Sequence, residues 1–208
     1  AENFSHQVSQ AFKKKRKHRK KLAIDKIMLD GFKSLESRDF KIENGEKIME
    51  HARSIKSAEE IKAMRCSISA CETSIHVMEK ETKPGMTEND IWSILHSENI
   101  KRGGEWIETR LLSSGTKTNP WFQECGSRIL QNNEIVAFDT DLVGCYSMCT
   151  DISRTWWIGD QEPTKEMKQD YQIALEHIQK NAELVAPGVH FKDLTFKGHQ
   201  LDDLYKKQ

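Results

Sequence analysis

The stretch over residues 57–80 constrains the fold most, because its pattern is that of a long helix with one buried face. Ser57 and Glu60 have the spacing of a capping box at its start, and Pro84-Gly85 end the pattern. Apolar residues recur every three or four positions in between, which predicts a stripe packed against a core: Ile61, Met64, Ile68, Cys71, Ile75 and Met78.

The remaining segments follow in a recognisable order. A second helix is predicted from Thr87 to about Gly103, and a third from Pro163-Thr164 onward. Between them lie three segments with extended patterns, over residues 106–113, 135–138 and 145–158. Strands that are adjacent in sequence favour antiparallel pairing, so we predict an α+β fold rather than a doubly wound one.

The composition excludes several classes of protein. The 208 residues are 37% hydrophobic and 31% charged, enough for a domain with a core. No apolar run approaches the roughly 20 residues that span a bilayer, and no signal-peptide pattern is visible. Five cysteines without a C-x-x-C pair indicate neither a disulfide framework nor a zinc knuckle. We therefore expect a cytoplasmic protein with no membrane partner.

A basic run over residues 13–21 contains eight Lys and Arg in a chain whose formal net charge is zero. Such a run can serve as an arm that binds nucleic acid. Here no aromatic residue interleaves it to stack on bases, which favours a solvated charged segment instead. We predict that residues 1–21 are a disordered N-terminal segment that does not bind nucleic acid.

Three aspartates form the sharpest local feature. Asp139 and Asp141 alternate in a predicted strand and would point to the same side, and Gly144 allows a return strand that brings Asp151 opposite them. Converging carboxylates raise one another's pKa values, and a hard divalent cation relieves that conflict. The alternative is that the aspartates are solvated residues at strand ends.

The stretch DTDLVGCYSMCTDISRT, which begins at Asp139, resembles the metal-binding hairpin of the M24 metallopeptidase family (creatinase and prolidase). The helix start SAEEIKAMR at Ser57 resembles that family's lead-in to its catalytic domain. The resemblance implies an incomplete pita-bread catalytic domain with two divalent metal ions (Fe, Mn, Co or Zn). By carry-over, Asp139, Asp141 and Asp151 are metal ligands, with Asp151 bridging.

The aspartate spacing departs from the commoner peptidase pattern. Eleven residues separate Asp139 from Asp151 and nine separate Asp141 from Asp151, whereas the usual spacing falls between these values. The Asp-x-Asp pair, RGGEWIETRLLSSG from Arg102 and NPWFQECG from Asn119 are instead similar to the dimethylsulfoniopropionate (DMSP) lyase branch of the family. The implied reaction is cleavage to dimethyl sulfide and acrylate. The alternatives are a Xaa-Pro aminopeptidase or prolidase acting on proline-containing peptides, and a non-catalytic binding module.

The family's site also uses a His in a His-Gly motif and two Glu downstream of the second Asp, and the sequence to residue 208 has no match for them. We therefore expect a fragment that is inactive alone, with its catalytic base unidentified. Trp121 and Arg154 are candidates for binding a small-molecule substrate. The expected domains are residues 22–56, the end of an N-terminal domain or a linker, and 57–208, the partial catalytic domain. The resemblance also implies a homodimer.

Overall fold

The computed structural model describes residues 1–15 and 20–205. These residues separate into two compact units, Ala1–Ala63 and Met64–Gln208. In the described ranges, no helix is both long enough and apolar enough to span a bilayer.

The first unit contains helices and a pair of parallel strands, in which Lys21 lies opposite Lys41 and Ile24 opposite Asn44. Leu35 and Phe40 are buried, and Phe12 contacts the Phe40 ring edge-on with 5.1 Å between ring centroids. The elements are α1 (Glu2–Lys14), β1 (Lys21–Ile24), α2 (Leu29–Glu36), β2 (Lys41–Asn44) and α3 (Glu46–Ser54).

Helix α1 differs from the disorder predicted for residues 1–21. Ser5 is buried, and its hydroxyl lies 2.7 Å from the Ser34 hydroxyl and accepts a hydrogen bond from Arg38 Nε at 2.7 Å. These tertiary contacts support a helix that the charge pattern of the sequence does not indicate. Within the basic run, residues 16–19 lie outside the described residues.

Helix α4 (Ala58–Glu81) begins in the first unit and continues through the second. Its predicted capping box is present: the Ser57 N–H donates to Glu60 Oε2 at 2.7 Å, and the Glu60 N–H donates to Ser57 Oγ at 3.2 Å. The predicted stripe is buried from Cys71 to Met78, whereas Ile61 and Ile68 are exposed. The long helix is therefore confirmed, with its buried face limited to its second half.

The second unit continues with two further helices, a short helix and two antiparallel three-stranded sheets, ordered β3-β6-β7 and β4-β5-β8. The elements are α5 (Glu88–Lys101), β3 (Trp106–Ile107), β4 (Leu112–Ser114), β5 (Glu134–Phe138), β6 (Asp141–Val143), β7 (Cys149–Asp151), β8 (Arg154–Ile158), α6 (Lys165–Ala182) and α7 (Phe191–Lys197). This mixture of helices and antiparallel strands is the α+β architecture that the sequence predicts.

The core of the second unit lies between the helices α4 and α5 and the two sheets. Central strand β5 is buried along most of its length because it pairs with β4 on one side and β8 on the other. The core side chains are Cys71, Ile75, Met78, Ile91, Trp92, Leu95, Ile107, Leu112, Cys125, Leu130, Val136, Phe138, Leu142 and Ile158. Phe138 and Leu142, which flank Asp139 and Asp141 in sequence, belong to this core, so burial of apolar surface holds that segment in place.

Candidate metal centre

The three aspartates meet where β5 ends and the β6–β7 hairpin begins. Asp141 and Asp151 are direct partners in the antiparallel register of β6 and β7. Asp139 follows the last residue of β5, and its N–H donates to the Leu111 carbonyl at 2.9 Å. Directly opposed residues have Cβ atoms about 4.5–5.5 Å apart, so the hairpin brings two carboxylates side by side.

The tip of the hairpin is anchored on helix α4. Ser67 Oγ is buried and donates to the Met148 carbonyl at 2.7 Å. A Cβ at Gly144 would lie 2.0 Å from Ser67 Oγ, so only glycine permits this approach. Tyr146 and Ser147 take positive φ angles of 61° and 56° and reverse the chain between the strands.

Two hydroxyl groups hold the carboxylates, and neither belongs to a residue that the sequence predicts for the site. Thr109 Oγ1 donates to Asp141 Oδ2 at 3.0 Å, and Ser153 Oγ donates to Asp139 Oδ1 at 2.7 Å. Ser153 lies inside the quoted hairpin motif, two residues after Asp151, which is the signal that could have found it. Thr109 lies two residues after Ile107, and only the pairing of β3 with β6 makes it a neighbour of Asp141.

The electrostatics of the site are those of carboxylates brought together. The pKa of the Asp151 carboxyl is raised by loss of hydration, then by the negative charge of Asp139 and a side-chain hydrogen bond with it, and further by the charge of Asp141. Each of these effects favours the protonated acid. A cation among the three carboxylates would act in the opposite direction, because its charge favours the ionised form.

The chemistry of the donors fits a hard divalent ion, because carboxylate oxygens suit Mn²⁺, Mg²⁺ and similar cations. The arrangement of the side chains supplies fewer ligands than a complete metal site needs. Among the residues that the structure describes, no group of three or more His, Cys, Asp and Glu side chains could hold a metal ion. Asp139, Asp141 and Asp151 are thus neighbours that would supply part of a coordination shell.

The two substrate-binding candidates lie in different surroundings. Arg154 forms an ion pair with Glu72 at 3.7 Å and donates to the Ser153 carbonyl at 2.8 Å, and these contacts orient it toward helix α4. Trp121 is half-buried beside Phe122, with ring centroids 6.1 Å apart. Its loop returns to the sheet at a bridge between Leu111 and Glu124, and the Leu111 carbonyl is the group that accepts the Asp139 N–H.

The hairpin, its opposed aspartates and the helix that anchors it agree with a family pattern. Metallopeptidase family M24 matches residues 62–202, which is most of the chain. The chain belongs to metallopeptidase family M24. The predicted family is confirmed, and the match begins within helix α4 of this M24 chain.

Two curated M24 relatives are similar along nearly the whole chain. Dimethylsulfoniopropionate lyase DddP of Roseovarius nubinhibens is 54% identical over 193 residues, covering 90% of this chain and 43% of the relative. The protein of the same name from Roseobacter denitrificans is 54% identical over 194 residues, covering 91% of this chain and 43% of the relative. The chain therefore spans less than half the length of these relatives, and the likeness to the DMSP lyase branch is confirmed.

Solved structures show the same fold at low sequence identity. The X-Pro aminopeptidase of Thermotoga maritima superposes with a TM-score of 0.75 at 22% identity, covering 92% of this chain and 54% of that one. The prolidase of Pyrococcus furiosus gives a TM-score of 0.72 at 19% identity, covering 84% and 52%. The pita-bread fold is thereby confirmed, and the M24 chain corresponds to about half of each structure.

Proposed function

We propose that this M24 chain is part of a metal-dependent DMSP lyase, which cleaves its substrate to dimethyl sulfide and acrylate. The observation that carries the proposal is the 54% identity to two proteins named as such lyases, over nine-tenths of the chain. A likeness of fold alone, at about one-fifth identity, would not distinguish the lyase from the peptidases.

Within this proposal, Asp139, Asp141 and Asp151 would hold the metal ions. Three supports are the register pairing of Asp141 with Asp151, the hydroxyl groups fixed on Asp139 and Asp141, and the donor chemistry. Divalent ions bound there supply Lewis-acid stabilisation of negative charge on a substrate oxygen. The chain itself fixes the carboxylates through these hydroxyl groups and holds the hairpin in place through the Ser67 contact.

The lyase reaction removes a proton from the carbon next to the substrate carboxylate. The electron pair of that C–H bond forms the C=C bond of acrylate, while the C–S bond breaks and its pair leaves on neutral dimethyl sulfide. A general base must accept the proton, and we assign this role to no residue of the chain. Trp121, whose aromatic face could attract a sulfonium cation, remains the candidate for substrate binding.

The experiment uses the full-length gene product loaded with Fe²⁺ or Mn²⁺. DMSP and a Xaa-Pro dipeptide are supplied in parallel, and headspace dimethyl sulfide and free proline are measured. We expect dimethyl sulfide, with the rate falling more than about 100-fold in Asp151→Ala. Asp170→Ala is the matched control, because Asp170 is an exposed residue of α6 that accepts from the Tyr205 hydroxyl.

Proline without dimethyl sulfide would overturn the lyase proposal in favour of a peptidase, the second candidate, which the structural likeness to prolidases supports. Release of neither product would favour a non-catalytic binding module. The homodimer, the cytoplasmic location and a catalytic domain that begins near residue 57 are further proposals that rest on the family resemblance and the composition. Size-exclusion chromatography with light scattering tests the dimer.

A further inference from the structure

Two histidines far from the aspartates in sequence face each other in the second unit. His177 lies on α6 and His199 follows α7, and their Nδ1 atoms are 3.1 Å apart. Both side chains are half-buried, and they line a pocket of about 420 Å³ that is open to solvent on one side. Nothing in the M24 likeness described above uses either residue.

The pair is held by Asn181, one turn after His177 on α6. Its side-chain Oδ1 accepts the backbone N–H of His199 at 2.7 Å. Its Nδ2 donates to the His177 carbonyl at 3.0 Å and lies 3.4 Å from His177 Nδ1. A Cβ at Gly198 would lie 2.6 Å from the Leu194 carbonyl oxygen and 3.1 Å from Asn181 Oδ1, so glycine is needed for this approach. Asn181 therefore holds the backbone of His177 close to that of His199, which brings the two imidazoles together.

The separation of the nitrogens is compatible with a shared metal ion. Zinc binds imidazole nitrogen at about 2.0–2.1 Å, so two ligands at angles of roughly 90–110° lie about 2.9–3.4 Å apart. The observed 3.1 Å falls within this interval. We propose that His177 and His199 form a two-histidine site for a transition-metal ion such as Cu²⁺, Ni²⁺ or Zn²⁺, separate from the aspartates.

The chemistry of this site differs from that of the aspartate site. Imidazole nitrogen suits copper, nickel and zinc, whereas carboxylates suit manganese and magnesium. Water completes the coordination, since the described residues contain no group of three or more His, Cys, Asp and Glu side chains able to hold a metal. We therefore expect affinity to follow the general order for divalent metals, strongest for Cu²⁺.

One cation lies near the pair. Lys180 Nζ is 3.5 Å from His199 Nε2 and 3.8 Å from Glu176 Oε2, and its side chain is 51% exposed. The ammonium contacts Nε2, which Cε1 separates from Nδ1, and not either of the two Nδ1 atoms that face each other. Its exposure allows it to turn toward Glu176 and solvent when a metal binds.

The test is a Cu²⁺ titration of the full 208-residue chain, followed by electron paramagnetic resonance. We expect one tightly bound ion whose spectrum carries hyperfine structure from two nitrogens. His177→Gln and His199→Gln should each lower the Cu²⁺ affinity by about 10-fold or more and remove one nitrogen from the signature. His190→Gln, at an exposed position before α7, is the matched control and should change neither.

Asp151→Asn distinguishes this site from the proposed aspartate site. Copper held by carboxylates carries no nitrogen hyperfine structure, so the two-nitrogen signal should persist in that variant. A signal that is unchanged in His177→Gln would overturn the proposal and leave the contact as a hydrogen bond between the two imidazoles.

A second measurement uses stability. A metal that joins α6 to the segment after α7 binds only the folded chain, so saturating Zn²⁺ should raise the unfolding midpoint by about 5 °C. The increase should be absent in His199→Gln and retained in His190→Gln, with circular dichroism used to verify that each variant folds. An equal increase in all three proteins would contradict the assignment.

Discussion

At the scale of single residues, hydroxyl groups decide how the aspartates are presented. Thr109 and Ser153 each donate to one carboxylate oxygen, which fixes the rotation of Asp141 and Asp139. Groups that hold ligands in this way are usually needed for full metal affinity, although they do not touch the metal. Under the proposed function, the two hydroxyls are positioning residues.

Removal of the Thr109 hydroxyl should therefore weaken metal binding. Thr109→Val keeps the shape of the side chain, and we expect the affinity of the full-length protein for Mn²⁺ to fall about 10-fold. Isothermal titration calorimetry measures this change. The matched control is Thr73→Val, because the Thr73 hydroxyl donates only to a carbonyl of its own helix at Ser69. Equal affinity in both variants would argue against Asp141 as a ligand.

The sequence could predict the aspartates but not the groups that hold them. Spacing is a local property, so Asp139, Asp141 and Asp151 could be assigned to one place, although Asp139 follows the end of β5 and does not share a strand with Asp141 as predicted. Thr109 reaches Asp141 only through the pairing of β3 with β6, which joins residues more than thirty positions apart. Long-range pairing of this kind leaves no signal in a local pattern.

At the scale of elements, a buried carboxylate joins helix α5 to the sheet and its loops. Glu88 has no exposed surface, and it accepts hydrogen bonds from the Ser114 N–H and hydroxyl, both at 2.9 Å, and from the Gly126 N–H at 3.1 Å. It also accepts from Lys117 Nζ at 2.6 Å. The start of α5, the end of β4 and the loop after it are therefore fixed by one side chain.

We expect Glu88→Ala to lower the free energy of unfolding by about 3–5 kcal/mol, because it leaves the Lys117 ammonium without its carboxylate partner and two backbone N–H groups without their acceptor. Urea unfolding measures the loss. Glu124→Ala is the matched control: Glu124 pairs with Arg110 at 3.1 Å on the surface and should contribute no more than about 1 kcal/mol. Similar losses in the two variants would contradict this account.

The N-terminus of α5 gives a prediction about pH. Hydrogen bonds from the Thr87 hydroxyl and N–H lower the pKa of Asp90 below its usual value of 3.8. The stability that Asp90 contributes is thus fully present above that value and is lost as the pH falls through the lower pKa of the folded state. The stability difference between wild type and Asp90→Ala should be present at about pH 7 and decrease below about pH 4, as measured by urea unfolding. A difference that grows toward acid pH would contradict the prediction.

The helices were predicted more accurately than the strands. Helices α4, α5 and α6 carry both caps and periodic apolar residues, and each lies within a few residues of its predicted range. The single strand predicted over 106–113 is two short strands, since Leu111 pairs with Glu124 in between. The strand predicted over 145–158 contains a turn at Tyr146 and Ser147. Both have positive φ angles, which the sequence does not indicate because neither residue is a glycine.

At the scale of the whole molecule, helix α6 presents an apolar face to solvent. Met167, Tyr171 and Ile178 recur at helical spacing on one face of α6 and are 40%, 56% and 63% exposed. Apolar surface of this extent is typical of an interaction surface. The chain spans less than half the length of its curated relatives. The apolar periodicity of α6 indicates a face that packs against another surface, but it does not identify that surface.

The 208-residue chain alone should therefore bind a hydrophobic dye and self-associate. We expect Ile178→Lys to reduce both effects without lowering the free energy of unfolding, because the side chain is already mostly in water. Dye fluorescence and light scattering measure the change. Gln179→Lys adds the same charge at the neighbouring exposed position and is the control. A reduction of equal size in both variants would show that net charge, rather than the apolar face, controls association.

The anchoring of the hairpin on α4 restricts how this region can vary among homologues. The Ser67 side chain fills the space that a side chain at position 144 would need, so only one of the two positions can carry a group of that size. We expect homologous sequences with Ser at position 67 to keep Gly at position 144, and those with a larger residue at 144 to carry Gly or Ala at 67. The two positions are separated by 76 residues in the chain, yet they should change together during evolution.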